Sequence, residues 1–244
     1  MLKVDLHTHS LRSGHALSTV DELASEAREK KIHLLGIAEH GPSMEGAPHK
    51  GYFWISDKLD KLYGVEILLG VEANIINKKG EIDLDGHFLI KQKVVMAGIH
   101  TKTPYNNIFL EDHTLSIINA MKNPFVKIIS HPFRKDFKVN VKKIVEAACS
   151  TNTLLELNNQ VFEEESSNQY FLESYRKIIS LCKKYGHPLI IGSDAHLAKG
   201  IGENRSIIAI KNKIGLTNNI VINNREDELK LFLRNDKEHY SFGF

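Results

Sequence analysis

Residues 4–10 read VDLHTHS, a short apolar run that ends in a His-x-His pair. Strand side chains repeat every two residues, so His7 and His9 share a face, and the same spacing puts Asp5 on that face one layer deeper. Two imidazoles on one face at a strand end can grip one cation. The pattern also occurs in many unrelated strands, so the rest of the chain has to decide what it means.

Working outward, the spacing predicts strands at 3–6, 34–38, 66–71, 94–99, 126–129, 153–157 and 189–191. They are dense in Val, Ile and Leu without strict alternation, as parallel strands covered on both faces are. Helical periodicity fills several of the gaps. Thr19 and Glu22 form a capping box ahead of Val20, Leu23, Ala24 and Ala27. Val141, Ile144, Val145 and Ala148 repeat the pattern, as do Phe171, Tyr175, Ile178, Ile179 and Cys182, where Gly186 is the stop. Further helices are expected near 52–62, 111–121 and 226–233, a hairpin within 80–86, and a closing strand or loop within 218–244. Seven strand–helix repeats with no linker or composition break predict an α/β barrel and one domain over residues 1–244.

Each predicted strand then runs into a polar residue. Strand one reaches His7 and His9, strand two Glu39 and His40, strand three Glu72, strand four His100, strand five His131, strand six Asn158 and Asn159, and strand seven Asp194 and His196. In closed α/β barrels active sites are built on that rim. Of thirteen histidines, seven (7, 9, 15, 40, 100, 131 and 196) lie at strand ends or in the loop after strand one, which chance explains poorly. Gly14 allows that loop to fold His15 back over the site. His33, His87, His113, His187 and His239 have no such placement and read as structural or exposed.

The net charge of +2 gives no argument for a nucleic-acid or membrane surface. No apolar run is long enough to span a bilayer, and the N-terminus has no signal-peptide core. Cys149 and Cys182 fall in helical patterns without CxxC spacing and read as packed thiols. A cytoplasmic protein is expected. Phosphate-loop and dinucleotide glycine motifs are absent.

DLHTHS at 5–10, AEHGP at 38–42, GVEANI at 70–75, AGIH at 97–100, IISHP at 128–132, LELNN at 155–159 and GSDAH at 192–196 resemble the PHP (polymerase and histidinol phosphatase) family, in order, over about residues 2–200. The likeness is to small stand-alone phosphatases of that family. It implies a distorted (β/α)7 barrel and a trinuclear metal site. One ion would be held by His7, His9, Glu72 and Asp194, a second by Glu72, His100 and His131, and a third by His15, His40 and His196. Glu39 departs from the family, which more often has Asp there.

A nitrogen-and-carboxylate set suits zinc first, with manganese or iron also fitting. The resemblance implies a metal-dependent hydrolase of phosphate esters, a phosphatase in which metal-bound hydroxide attacks phosphorus. Asp194 and His196 are its expected proton-handling groups. Arg134 is expected at a phosphate oxygen, the alternative being a solvated loop charge. Asn158 is expected to bind phosphate or to support a ligand. Met44, His49, Tyr52 and Trp54 form either a lid or packing on the rim. The expected partner is a small phosphorylated substrate, with a homo-oligomer left open. Nucleic acid is not the expected partner, although a family exonuclease acting on phosphodiesters is the nearest alternative. A dinuclear amidohydrolase-like enzyme would leave Glu72, His15 and His40 without roles. A non-enzymatic regulatory module would be expected to have lost ligands.

Overall fold

The structure, a computed structural model, describes residues 2–234; His239 and the end of the predicted C-terminal segment lie outside them. The strands are β1 (Val4–Asp5), β2 (Leu34–His40), β3 (Lys61–Leu62), β4 (Val65–Asn74), β5 (Val94–Gly98), β6 (Ile128–Ile129), β7 (Leu154–Asn158) and β8 (Leu189–Gly192). Seven of them run parallel in the order β1-β2-β4-β5-β6-β7-β8, with β3 antiparallel on β4. These seven are the strands read from the sequence, and they curl into a nearly closed, distorted barrel.

The barrel closes at the seam between β8 and β1 without a strand ladder. Above it, Thr8 pairs with Ala195, and the Asp194 N–H donates to the His7 carbonyl at 2.9 Å. Below it, the Asn223 side chain replaces a strand: Oδ1 accepts from Ile191 N at 2.8 Å, and Nδ2 donates to Val4 O at 2.9 Å and Ile191 O at 2.7 Å.

Period-2 packing separates two cores. Leu35, Ile37, Ile67, Val71, Val95 and Leu155 face the outer helices. Val4, Leu6, Leu34, Ala38, Val94, Met96, Ile128, Leu154 and Ile190 fill the interior, joined by Ile222, Leu229 and Leu233. Interior positions farther along the strands carry Glu72, Glu156 and Asn158, so the lumen is apolar at its base and polar at its rim. Asp5 is not on the lumen face expected for it. The regular ladder of β1 ends at Asp5, and its carboxylate turns to the seam, accepting from Ser193 N and Gly202 N. Burial raises its pKa, opposed by those hydrogen bonds.

The helices are α1 (Val20–Glu29), α2 (Gly86–Leu89), α3 (Leu110–Ala120), α4 (Val141–Thr151), α5 (Asn159–Glu165), α6 (Gln169–Tyr185), α7 (Arg205–Ala209), α8 (Lys211–Ile214) and α9 (Glu226–Leu233). The Thr19–Glu22 box caps α1 and Gly186 ends α6 in the left-handed region, as the sequence suggests. The helix expected at 52–62 does not form. A 3-10 segment spans Lys50–Ile55, and Tyr63 and Gly64, both at positive φ, turn β3 tightly into β4. The hairpin expected within 80–86 reduces to one antiparallel bridge, Ile75 with Ile82. Cys182 is buried and Cys149 partly so; both are free thiols, and burial pushes Cys182 up to about 12. Among the described residues no helix is long and apolar enough to cross a membrane.

Candidate metal centre

The strand ends converge as expected. Nε2 of His7 lies 3.3 Å from Glu72 Oε2 and 3.4 Å from Asp194 Oδ1, and Nε2 of His9 lies 3.6 Å and 3.1 Å from the same two atoms. Around the other oxygen of Glu72, Nε2 of His100 and of His131 stand 3.1 Å and 2.9 Å away, and 3.0 Å from each other. His40 presents Nδ1 to Glu72 at 3.0 Å and Nε2 to His15 Nε2 at 3.1 Å, while the His15 and His196 rings stack at 4.8 Å.

These separations have the size of a coordination edge: donors about 2.0–2.1 Å from one tetrahedral ion stand about 3.3–3.4 Å apart. Five of the buried atoms involved, His7 Nε2, His9 Nε2, His40 Nδ1, Asp194 Oδ1 and His196 Nε2, make no hydrogen bond. Buried polar atoms are otherwise almost always satisfied, so converging orphans on histidine and carboxylate are what a divalent cation requires. Among the described residues three groups meet that description: His7-His9-Asp194, His40-Glu72-His100 and His9-His40-His196.

A second layer fixes which nitrogen faces inward. The Nδ1–H of His7 donates to Glu156 Oε1 at 2.7 Å, and that of His196 to the Asp194 carbonyl at 2.9 Å. His100 Nδ1–H donates to Asn74 Oδ1 at 2.8 Å, and the Asn74 amide is committed to Asp83 and Gly41 O. His9 Nδ1–H donates at 3.1 Å to Ser13 Oγ, whose own proton goes to Glu39 at 2.6 Å. In the neutral form of all four rings, these bonds put the proton on Nδ1 and leave the Nε2 lone pair turned to the centre. Glu39, the departure from the family pattern, thus acts through Ser13, and it also accepts from Ser10.

The charges are strongly coupled. Burial would raise the Glu72 and Asp194 carboxyls, but the facing histidines hold both well below the usual carboxylate range. Burial and the neighbouring His40 push His9 well down. His7 is pulled well up, its burial overcome by Glu156, Asp194 and Glu72.

Residues 5–240 match the family model described as PHP domain. The chain belongs to the PHP family. A protein named probable phosphatase from Acetivibrio thermocellus is 35% identical over 241 residues, covering 96% of each chain. Among solved structures, histidinol phosphate phosphatase from Lactococcus lactis, complexed with zinc, L-histidinol and phosphate, superposes with a TM-score of 0.57 at 16% identity, over 88% of this chain and 94% of that one. A chain in archaeal ribonuclease P bound to mature tRNA superposes at 0.60 with 15% identity, over 99% and 97%. At such identities the likeness is one of fold.

In this PHP barrel the centre floors a cavity of about 710 Å³. Arg134 lines that cavity, held by Glu164 at 3.1 Å and Glu165 at 3.6 Å. Asn158 does not meet the cavity. It is fully buried, caps α5 through Val161 N and donates to Glu156 and Asp194 at 3.1 Å each. It braces Asp194, the second of its two expected roles. Of the candidate lid only Met44 lines the cavity; Trp54 packs on Phe88 with ring centroids 5.1 Å apart.

Sequence reasoning passed over Glu156, although LELNN contains it. A carboxylate inside a short apolar strand was the available signal. Gly192 makes room for it, since a Cβ there would lie 1.9 Å from Glu156 Oε1.

Proposed function

We propose that the chain is a metal-dependent phosphatase that hydrolyses small phosphate esters at a trinuclear centre. The observation carrying this reading is the convergence of histidine nitrogens on Glu72 and Asp194, with His7, His9, His100 and His196 each turned inward by a second hydrogen bond. The name and full-length similarity of the Acetivibrio relative support the phosphatase class. The zinc, histidinol and phosphate of the Lactococcus structure agree with it in ligand chemistry.

His7, His9, Glu72 and Asp194 would hold one ion, Glu72, His100 and His131 a second, and His15, His40 and His196 a third. Zinc is the first candidate for this donor set, with manganese or iron also suited. When bound, such ions supply positive charge for a phosphate ester and lower the pKa of water. The protein's own contribution is positional. Asp194 aims Oδ1 into the centre and keeps Oδ2 on the Asn158 amide, so it is placed to take a proton from an attacking water. His196 presents Nε2 at the same rim, where it would serve as a ligand, so the leaving oxygen would draw its proton from water. Arg134 lies on the cavity wall, where Nη1 is left for a phosphate oxygen beside its pairs with Glu164 and Glu165.

The test is metal quantification followed by a screen of phosphate esters, including p-nitrophenyl phosphate and a phosphodiester. Wild type is expected to carry divalent metal and to release phosphate from monoesters. His9→Ala and Asp194→Ala are expected to lose metal and turnover together. Full activity with either ligand removed, or no hydrolysis by fully loaded wild type, overturns the reading.

A further inference from the structure

Two cavities flank the centre. They share His15, Gln160, Asp194 and His196, and enclose about 710 and 720 Å³, the range of a site for a whole small molecule rather than for one phosphate. Their outer walls differ in charge. The larger carries Glu163, Glu164 and Glu203 against Arg205, which Glu203 already pairs, and so disfavours anions. The other has Lys102 and Arg134, with Glu45 and Asp136. Arg134 is tied to Glu164 and Glu165. Among the described residues Lys102 has no ion-pair partner.

The backbone singles out the same residue. Among the described residues six non-glycine positions have positive φ: Lys31, Tyr63, Lys102, His131, Asn152 and Asp194. Lys31 and Asn152 follow α1 and α4, and Tyr63 sits in the β3–β4 turn, all places where such conformations are ordinary. The other three surround the metal centre. His131 and Asp194 belong to the candidate ligand set. Lys102 is not, yet it holds φ +59 two residues beyond His100, in a turn pinned by Thr103 Oγ1–H donating to the His100 carbonyl at 2.9 Å. That turn sets where Lys102 leaves the end of the strand, against the wall of the same cavity.

We propose that Lys102 is a specificity-determining residue that receives a second anionic group of the substrate. Resting on the phosphatase reading, the inference narrows its substrate class to phosphate esters that carry a carboxylate or another phosphate beside the one hydrolysed. Glu45 and Asp136 on the same wall would repel an anion placed away from Lys102.

Matched probes test it on metal-loaded protein: 3-phosphoglycerate against glycerol 3-phosphate, and fructose 1,6-bisphosphate against fructose 6-phosphate. Each pair differs by one anionic group. Wild type is expected to favour the more anionic member by about tenfold or more in kcat/KM, the scale of a hydrogen bond to a charged group. Lys102→Gly, which suits the left-handed backbone, is expected to erase most of that preference through KM, and Lys102→Arg to keep it. Equal rates within each pair, or a preference that survives in Lys102→Gly, overturns the inference while leaving the phosphatase reading intact. If loaded wild type fails even on p-nitrophenyl phosphate, the phosphatase reading itself falls.

Discussion

Glu156 and His7 are joined by a 2.7 Å hydrogen bond between two buried side chains, Nδ1–H donating to Oε1. The other oxygen of Glu156 accepts the backbone N–H of His131 at 2.8 Å, where the chain holds φ +28. One carboxylate therefore sets the tautomer of one candidate ligand and the backbone of another.

Glu156→Gln keeps the shape and removes the acceptor. The amide oxygen is needed by His131 N and Asn158 Nδ2, which turns the NH₂ toward His7 Nδ1. His7 must then accept at Nδ1 and carry its proton on Nε2, the atom that faces Glu72 and Asp194. Metal affinity is expected to fall about 10–100-fold, the usual scale for losing such a partner. Chelator competition measures it, and excess metal should restore part of the activity. Unchanged affinity would show that His7 does not depend on this contact.

Ser13→Ala tests the opposite wall. Ser13 Oγ accepts from His9 Nδ1 and from the His40 N–H, both at 3.1 Å, and passes its proton to Glu39. Alanine leaves both donors and the buried Glu39 oxygen short of a partner. Stability is expected to drop by about 1–3 kcal/mol, and metal affinity with it. Urea unfolding of metal-free and metal-loaded protein separates the two effects, because only the second grows with metal concentration.

The candidate ligands were legible because strands in a barrel deliver their C-terminal residues to one rim, so position in the chain stands in for position in space. Ser13 and Asn74 carry no comparable mark, and Glu156 only that of a carboxylate inside an apolar strand. Their roles arise from hydrogen bonds across 4, 26 and 149 residues of chain, and only the folded barrel creates those neighbours. Asp5 shows the same limit from the other side. Alternation put it beneath His7, but β1 stops too soon for alternation to apply. The 52–62 segment forms no helix because Tyr52, Phe53, Leu59 and Leu62 pack on the outer core from a 3-10 turn and a short hairpin rather than along one helical face.

His187 offers a titration outside the metal centre. It is buried, with Nε2–H donating to Thr153 O at 2.9 Å, and burial lowers its pKa against the opposing pull of that bond. The unfolded chain therefore binds a proton below about pH 6.5 that the native state still declines. Stability from this group is full above that pH and falls as the solution is acidified toward the lowered native pKa. His187→Gln retains an N–H donor and cannot titrate. Its unfolding free energy is expected to fall less than that of wild type between pH 7 and pH 5. Parallel slopes would remove His187 from the account.

Asn223 closes the barrel where no strand does. Its amide satisfies Ile191 N, Ile191 O and Val4 O from a fully buried position. Asn223→Ala leaves those backbone groups unpaired at the β8–β1 seam, and a loss of about 2–4 kcal/mol is expected, each unsatisfied buried group costing roughly 1–3. Asn223→Asp is the sharper probe. The carboxylate keeps the acceptor for Ile191 N but sets negative oxygen against two carbonyls, so at neutral pH it should be at least as unstable as alanine. Protonation restores a donor and lifts that repulsion, which raises the native pKa of the new group. The aspartate deficit should therefore shrink as pH falls through that raised value, while the alanine deficit stays constant. An aspartate deficit that stays constant as pH falls would mean that its carboxylate does not face the Val4 and Ile191 carbonyls.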